Sequence, residues 1–519
     1  MLRSRSSQIL LLSAAVITIG ITSLVLARSS NTMQSVMLFD EVIKRVRSEY
    51  VDRVDLDNLM TGAIRGMLDT LDPHSQFLSK KQYDDLMVST HGSFGGLGIE
   101  IDIRNDWLTV IAPIEGTPAH RAGIRGGDRI VKIEGKSTRG ISMTEAVQKL
   151  RGQKGTDVTI TIQREGEPEL LDYSITRDVI KIKSVPFATM IDDELGYVRV
   201  AAFSDDTGKE LRSTLRDLEA EGMQKLIVDL RRNTGGLLTQ AIEVTEQFVE
   251  PGQTIVSTKG RRSEQNREYQ AGSRARGGEY PLVVLVDNQS ASASEIVAGA
   301  VQDLDRGLVV GLSTFGKGTV QSVMRLSGGS ALKLTTAKYY TPSGRNINKD
   351  EDPGEDSAII LPDGAVGDSA RVYYTAGGRM VYGGGGIHPD IEIEPEEMPK
   401  IASQLARRGL VFEFAVHYVA ERPEISEDFS DDPALMAEFK DFISEKEFEF
   451  TEEDFEDGKD FVHIMLKSEI ARKVWGDDAA YAYSMEGDTQ LAKVIELVQQ
   501  AGTLSDLFAS AAQYSEITE

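Results

Sequence analysis

Between residues 225 and 314 the chain alternates short, predominantly apolar runs with amphipathic stretches, and no other feature narrows its fold as far. KLIVDL (225–230) is followed by the turn RRNTGG and the helical pattern LLTQAIEVTEQFV. PLVVLVD (281–287) is followed by NQSAS and SEIVAGAVQDL, and GLVVGLST (307–314) leads into FGKG. Apolar runs of this length read as buried strands, and strands alternating with helices read as an α/β layer. This texture spans residues 183–395, apart from a Gly-rich, acidic stretch at 350–386 that reads as an insertion or long surface loop.

The flanking regions differ. Residues 31–90 carry apolar positions at helical spacing, as in LMTGAIRGMLDTL, until LDPHS breaks the pattern. Residues 91–182 hold short alternating strands (IEIDI, LTVIAPI, DRIVKIEG, VTITIQRE) around one helix-like SMTEAVQKLRG, so they predict a compact β-rich module. Residues 396–519 are helical and acidic, with aromatic residues at packing intervals. At 519 residues the chain has room for several cores, and the expectation is a multidomain α+β protein. Ahead of all this, residues 9–27 (ILLLSAAVITIGITSLVLA) carry no charge and follow Arg3 and Arg5. They predict either a membrane anchor or a cleaved export signal within residues 1–30, with the rest of the chain outside the cytoplasm.

Composition excludes some functions. A formal charge of -25 argues against a nucleic-acid surface, and the absence of cysteine removes thiol nucleophiles, disulfides and thiolate metal sites. HExxH is absent and the six histidines (His74, His91, His120, His388, His417, His463) show no zinc spacing, which weakens a metalloprotease reading, and the overall reading of the chain implies no metal or organic cofactor.

Chemistry concentrates in two turns. Among Ser290, Ser292 and Ser294, Ser292 stands at a strand-to-helix junction, where an α/β fold presents reactive groups at the positive end of a helix. Its place three residues before Glu295 also fits a capping box. A serine hydroxyl needs a base, and the candidates are the six histidines or Lys317, set between Gly316 and Gly318. A lysine base must be neutral, which means moving its pKa from ~10.4 toward ~7 to 8 at a cost of roughly 3 to 5 kcal/mol, met by burial. Strand periodicity puts Lys317, Thr319 and Gln321 on one face, and Gln321 is suited to hold an uncharged amine. The turn Asn233–Thr234–Gly235–Gly236 and the N–H of Ala293 could supply donors to an oxyanion. In SFGGLGIEI, Gly95, Gly96 and Gly98 either form an ordinary glycine turn or converge their N–H groups on a carboxylate.

Taken together, AIRGMLDTLDPHSQFL, SFGGLGIEI, TPAHRAGIRGGDRIVKIEG, LIVDLRRNTGG, NQSASASEIVAGAVQD, TFGKGTVQ, ALKLTTAKYYTPSGR and GGIHPDI, in that order from about residue 37 to 391, resemble the carboxyl-terminal processing proteases. These are serine peptidases with a Ser-Lys pair and a PDZ domain. The resemblance implies a PDZ module at 91–182 and a crotonase-like ββα-superhelix core at 183–395. It implies Ser292 as nucleophile, Lys317 as general base and Gln321 as its support. It also implies an oxyanion hole drawn from Gly235, Gly236 and Ala293, and a loop of Gly95, Gly96, Leu97, Gly98 and Ile99 that takes a substrate C-terminus by strand addition. Thr234 stands where the family commonly has proline or glycine, which leaves open which glycine N–H faces the oxyanion. Expected partners are proteins or peptides with free C-termini, and the 396–519 extension could gate, self-associate or recruit an adaptor. The membrane is reached only through the N-terminal segment. The rival readings on the same fold are a non-catalytic PDZ scaffold and an acyl-CoA enzyme of the crotonase type.

Overall fold

The computed structural model describes residues 33–349, 358–360, 366–368, 372–422, 424–426, 429, 432 and 434–518. The apolar segment 9–27 and much of the acidic stretch after residue 349 lie outside them. The chain divides into two units, residues up to Ser79 with Val323–Leu334, and Lys80–Ser322 with Thr335–Glu519.

The first unit holds a helix over residues 33–49 and the helix Leu56–Asp69, which Asp55 caps by accepting the N–H groups of Asp57 and Asn58. Asp72 then closes the LDPHS turn, accepting from the N–H groups of His74 and Ser75 and from the Ser75 hydroxyl. The strand Gln76–Leu78 pairs antiparallel with Ala331–Lys333.

In the second unit, five antiparallel strands run in the order Ile99–Arg104, Trp107–Pro113, Arg129–Ile133, Asp157–Gln163, Leu171–Thr176, with the short Lys136–Ser137 beside Arg129–Ile133. Leu108, Val110, Ile130, Val158, Ile160 and Ile162 form its core with Ala146 and Leu150 of the helix Met143–Leu150. Arg177 fixes the C-terminal end of that helix by donating to the carbonyls of Lys149 and Leu150, where a cation also meets the negative end of the helix dipole. Ile99–Arg104 is an edge strand of this sheet.

The α/β layer is a six-stranded sheet in the order Phe187–Met190, Leu195–Arg199, Lys225–Asp229, Leu282–Val286, Leu308–Gly311, Ile391–Glu392, parallel except for the first pair. Successive residues of the apolar runs face opposite sides. Leu226, Val228, Val284 and Val286 pack on the helices Thr207–Glu221, Leu238–Thr245 and Ala293–Asp303. Ile227, Val283, Leu285, Leu308 and Val310 pack instead on Leu491, Val494, Leu497, Val498 and Leu507, from the helices Thr489–Gln499 and Leu504–Thr518. The region after residue 396, read from sequence as an extension that could gate, self-associate or recruit an adaptor, supplies the second layer of the central sheet. Strands apolar on both faces must be covered on both. The helices between Lys400 and Val474 gather around a separate core of Leu405, Phe414, Phe439, Ile443, Val462 and Leu466, which accounts for the spaced aromatics.

A further antiparallel sheet joins Thr254–Gly260 to Arg267–Gln270 and to the Ala337–Tyr340 end of the strand Ala331–Tyr340. The 350–386 segment is not wholly loop: Ala358–Ile360 pairs with Val366–Asp368, and Val372–Tyr374 with Met380–Tyr382. The second hairpin is pinned by Arg379, whose guanidinium meets Asp305 at 2.7 Å and Asp390 at 2.5 Å.

The helix Ala293–Asp303 ends on a buried ion pair, Arg345 to Asp303 at 2.7 Å, with Arg345 also donating to Gln302 Oε1 and the Tyr382 carbonyl. Both side chains are fully buried, and burial holds the Arg345 pKa below its ordinary value. Removing one partner strands the other charge away from water. Asp303→Ala is expected to lower unfolding free energy by about 3 to 5 kcal/mol in urea denaturation.

Candidate functional site

The three serines separate cleanly. Ser290 and Ser294 are fully buried, and both hydroxyls are committed: Ser290 Oγ donates to the Leu230 carbonyl at 2.8 Å, Ser294 Oγ to the Asn233 carbonyl at 2.8 Å. These bonds stitch the NQSAS turn to the RRNTGG turn. Ser292 alone is partly exposed. Its backbone is unusual, with φ 57° and ψ -108°, a region that costs a non-glycine residue of order 1 to 3 kcal/mol. The strained strand-to-helix turn that GxSxG sequences build is thus present without that motif.

Glu295 holds this turn. Fully buried, its carboxylate accepts the Ser292 N–H at 2.7 Å, the Lys317 N–H at 3.0 Å, the Gly316 N–H at 2.7 Å and the Thr314 hydroxyl at 2.7 Å. Ser292 and Lys317 donate to the same oxygen, so one carboxylate joins the serine turn to the lysine turn. The capping box inferred from S-A-S-E is there, but the same carboxylate also binds the loop after the next strand. Burial raises the Glu295 pKa and its donors pull it back. Tyr339 makes a second clip: its buried hydroxyl meets the Ser292 carbonyl at 3.2 Å and the Lys317 carbonyl. Burial keeps that phenol protonated far above its usual range. Sequence reading missed both roles. The signal available for Glu295 was a carboxylate opening an otherwise apolar helix.

Lys317 is partly buried in the turn before the strand Thr319–Arg325. Gln321 lies on that strand, its Nε2 donating to Thr319 Oγ1 at 2.8 Å and to Thr335 Oγ1 at 3.4 Å, so Thr319 and Gln321 do share a face. His388, the histidine placed after the GG turn of GGIHPDI, sits by Ser313 Oγ at 3.1 Å with its pKa lowered by burial, while His91 pairs with Asp205 and His417 with Glu165.

The glycine turn packs on the serine. A side chain at Gly235 would strike Ser292 Cβ at 2.8 Å and the Ala293 nitrogen at 2.9 Å, so only glycine allows this approach. The Gly235 N–H donates to Asn233 Oδ1 at 2.9 Å. Gly236 bridges Phe203 through the atoms on either side of it, the Gly235 carbonyl and the Leu237 N–H, which turns its own N–H to the opposite edge. Ala293 opens its helix with an N–H that has no acceptor inside the helix.

In the β-rich module the glycines do not form one nest. Gly95 and Gly96 lie in the strand Ser93–Gly96, paired with Val179 and Asp178 respectively, and a side chain at Gly95 would strike the Gly152 carbonyl. Only Gly98 has positive φ, at 78°, and there a side chain would collide with Thr117. Leu97 is buried, and Ile99 begins the edge strand.

Comparison with known proteins places these features in a family. Family models match as peptidase family S41 over residues 194–363, a PDZ domain over 109–164, the C-terminal helical domain of PDZ-proteases over 401–454 and the activating protease CtpB N-terminal domain over 23–82. The carboxy-terminal-processing protease of Bartonella bacilliformis is 42% identical over 340 residues, covering 65% of this chain and 77% of that protein. The chain belongs to this family. The carboxy-terminal processing protease CtpA of Bacillus subtilis is 36% identical over 334 residues, covering 64% of this chain and 70% of its own. A solved photosystem II D1 C-terminal processing protease shares 30% identity over 71% of this chain and 90% of its own, with a TM-score of 0.38. As a family member this chain is a serine-type peptidase with an S41 core, a PDZ domain and a C-terminal helical domain.

The strain at residue 292 is testable apart from activity. Glycine tolerates this backbone and alanine does not, so Ser292→Gly is expected to be more stable than Ser292→Ala by about 1 kcal/mol in urea denaturation. Equal midpoints would show that the turn is unstrained.

Proposed function

We propose that this chain is an exported endopeptidase that takes hold of protein C-termini and hydrolyses peptide bonds through an acyl-enzyme on Ser292, with Lys317 as the general base. The observation that carries the reading is the Glu295 bridge, which ties the one partly exposed serine of the NQSAS turn and its helix start, on a strained backbone at a helix N-terminus, to the turn of a half-buried lysine.

In this mechanism the neutral Lys317 amine takes the Ser292 hydroxyl proton as Oγ bonds the scissile carbonyl carbon. The oxyanion forms beside Ala293 N–H and Gly236 N–H. Gly236 is preferred over Gly235 as second donor because the Gly235 N–H is already held by Asn233. Lys317 returns the proton to the leaving amine as the C–N bond breaks. It then deprotonates the water that attacks the ester, and Ser292 recovers its proton. Gln321, one strand step beyond Thr319, orients the lysine side of the cleft.

Substrate C-termini would add as a strand along the edge Ile99–Arg104, with the terminal carboxylate near the Leu97–Gly98 turn. Export rests on the uncharged segment 9–27 behind Arg3 and Arg5.

Ser292→Ala should abolish hydrolysis of a C-terminally extended reporter peptide with the fold retained. Lys317→Arg should do the same, since arginine keeps the charge but cannot serve as base. Near-normal turnover by a folded Lys317→Arg protein would eliminate the Ser-Lys mechanism. Separately, amidating the reporter's C-terminus should weaken its binding or raise its KM, measured by titration and steady-state kinetics. Equal behaviour of acid and amide would show that the Gly98 turn takes no carboxylate.

A further inference from the structure

Arg231 opens the turn that carries Gly235 and Gly236, and its side chain is held from two sides. On one side is Asp229, fully buried at the end of the central strand. It accepts the Arg231 N–H at 2.8 Å, Nε at 3.1 and 3.0 Å, and Nη2 at 2.7 Å. On the other side is Asp488, from the region after residue 396, whose two oxygens take Nη1 at 3.1 Å and Nη2 at 2.6 Å. Gln490 Oε1 accepts Nη1 at 2.9 Å, and Gln490 Nε2 is anchored on the Ile393 carbonyl.

Asp229 is the counter-ion that two arginines share. It receives the Tyr197 hydroxyl at 2.7 Å and faces Arg199 at 3.3 Å as well as Arg231, and these cations hold its pKa below the ordinary carboxylate value despite burial. Asp488 supplies the second negative charge opposite the two arginines, and with it direction. A two-pronged carboxylate grip on a planar guanidinium fixes its orientation as well as its charge.

From Arg231 onward the turn has little freedom. Arg232, at φ 58°, donates its N–H to Asp287 Oδ1 at 2.9 Å, and Asn233 Nδ2 donates to the Val200 carbonyl at 2.8 Å. The Asn233 carbonyl accepts from Ala291 N–H and Ser294 Oγ, and Asn233 Oδ1 accepts from Gly235 N–H. The turn is thus ordered residue by residue from Arg231 to Gly235, and Arg231 is one of the anchors that set where Gly236 stands.

We propose that Asp488 and Gln490 are positioning residues for the hydrolysis: acting through Arg231, they set the turn that presents Gly236 N–H to the oxyanion. This assigns the C-terminal region a part in catalysis, and it rests on the reading of Ser292 and Gly236 given above. The grip acts only where charge develops on the substrate carbonyl, so its loss should appear in kcat rather than in KM.

Asp488 also caps the helix Thr489–Gln499 by accepting the Leu491 N–H at 2.9 Å. Asparagine caps as well as aspartate, so Asp488→Asn removes the charge and keeps the cap. In the full-length protein, Asp488→Asn is expected to lower kcat about tenfold with KM nearly unchanged, since an interaction strengthened only in the transition state is lost. Inhibition by a substrate-like peptide aldehyde, whose adduct with a serine carries an oxyanion, should weaken by the same factor. The urea midpoint should stay close to wild type. Asp488→Ser, which caps equally and has no charge, should reproduce this pattern and replaces the first variant if that one fails to fold. Wild-type kcat and aldehyde affinity in a folded, uncharged 488 variant would overturn the proposal, as would a change confined to KM. Ser292→Ala, assayed alongside, separates the two ideas: residual hydrolysis there overturns the reading of the site itself.

Discussion

A single buried carboxylate organises the two turns that carry Ser292 and Lys317. Glu295 has no access to water, and an isolated charge in that position would be prohibitive. Its solvation shell is made instead of the N–H groups of Ser292, Gly316 and Lys317 and the hydroxyl of Thr314. Those donors belong to two loops at the ends of neighbouring parallel strands, so the need to satisfy one charge dictates that the loops close on each other. Much else follows from that closure. It sets the serine backbone in a region that chain sterics disfavour, leaves no room for a side chain at residue 235, and brings Tyr339 over both backbones. The strain at Ser292 is sustained because Glu295 and Tyr339 grip the residue on its N–H and C=O sides at once.

The order of the layer was legible in the sequence because burial and period coincide there. Val, Ile and Leu fill the middle of KLIVDL, PLVVLV and GLVVGL without a polar interruption on either face, and each run became a strand of the six-stranded sheet. The same runs held information that was not used. A strand apolar at every position is covered twice, and the helices around Thr207–Glu221, Leu238–Thr245 and Ala293–Asp303 cover one face only. The missing layer had to come from elsewhere in the chain. Acidic composition hid it, since Thr489–Gln499 alternates Leu491, Val494, Leu497 and Val498 with polar residues and reads alone as a surface helix.

The site was legible as residue types and illegible as connections. Ser292 and Lys317 could be singled out from turns and glycines, whereas nothing local distinguishes a Glu295 that caps a helix from one that also bridges to a loop 21 residues on. Burial of the hydroxyls likewise separates Ser290 and Ser294 from Ser292 only once the turns are folded together. The glycine loop shows the opposite error. Gly95 and Gly96 suggested freedom of φ, but both lie in an extended strand, and at Gly95 the Gly152 carbonyl occupies the space a side chain would need.

The second layer of the sheet has a consequence for the order of events in synthesis. Every strand of the central sheet precedes residue 393, while the helical residues that close its far face begin at Tyr481. During translation, Ile227, Val283, Leu285, Leu308 and Val310 are therefore exposed as an apolar plane until some hundred residues more have emerged, and collapse onto nearer helical segments competes with the correct closure. A chain interrupted anywhere in that interval keeps Ser292, Lys317 and Glu295 in its sequence yet lacks the wall behind the strands that hold them. Quality control that senses exposed apolar surface would see such a fragment at once, so an incomplete protease is marked for removal by the same surface that prevents it from folding.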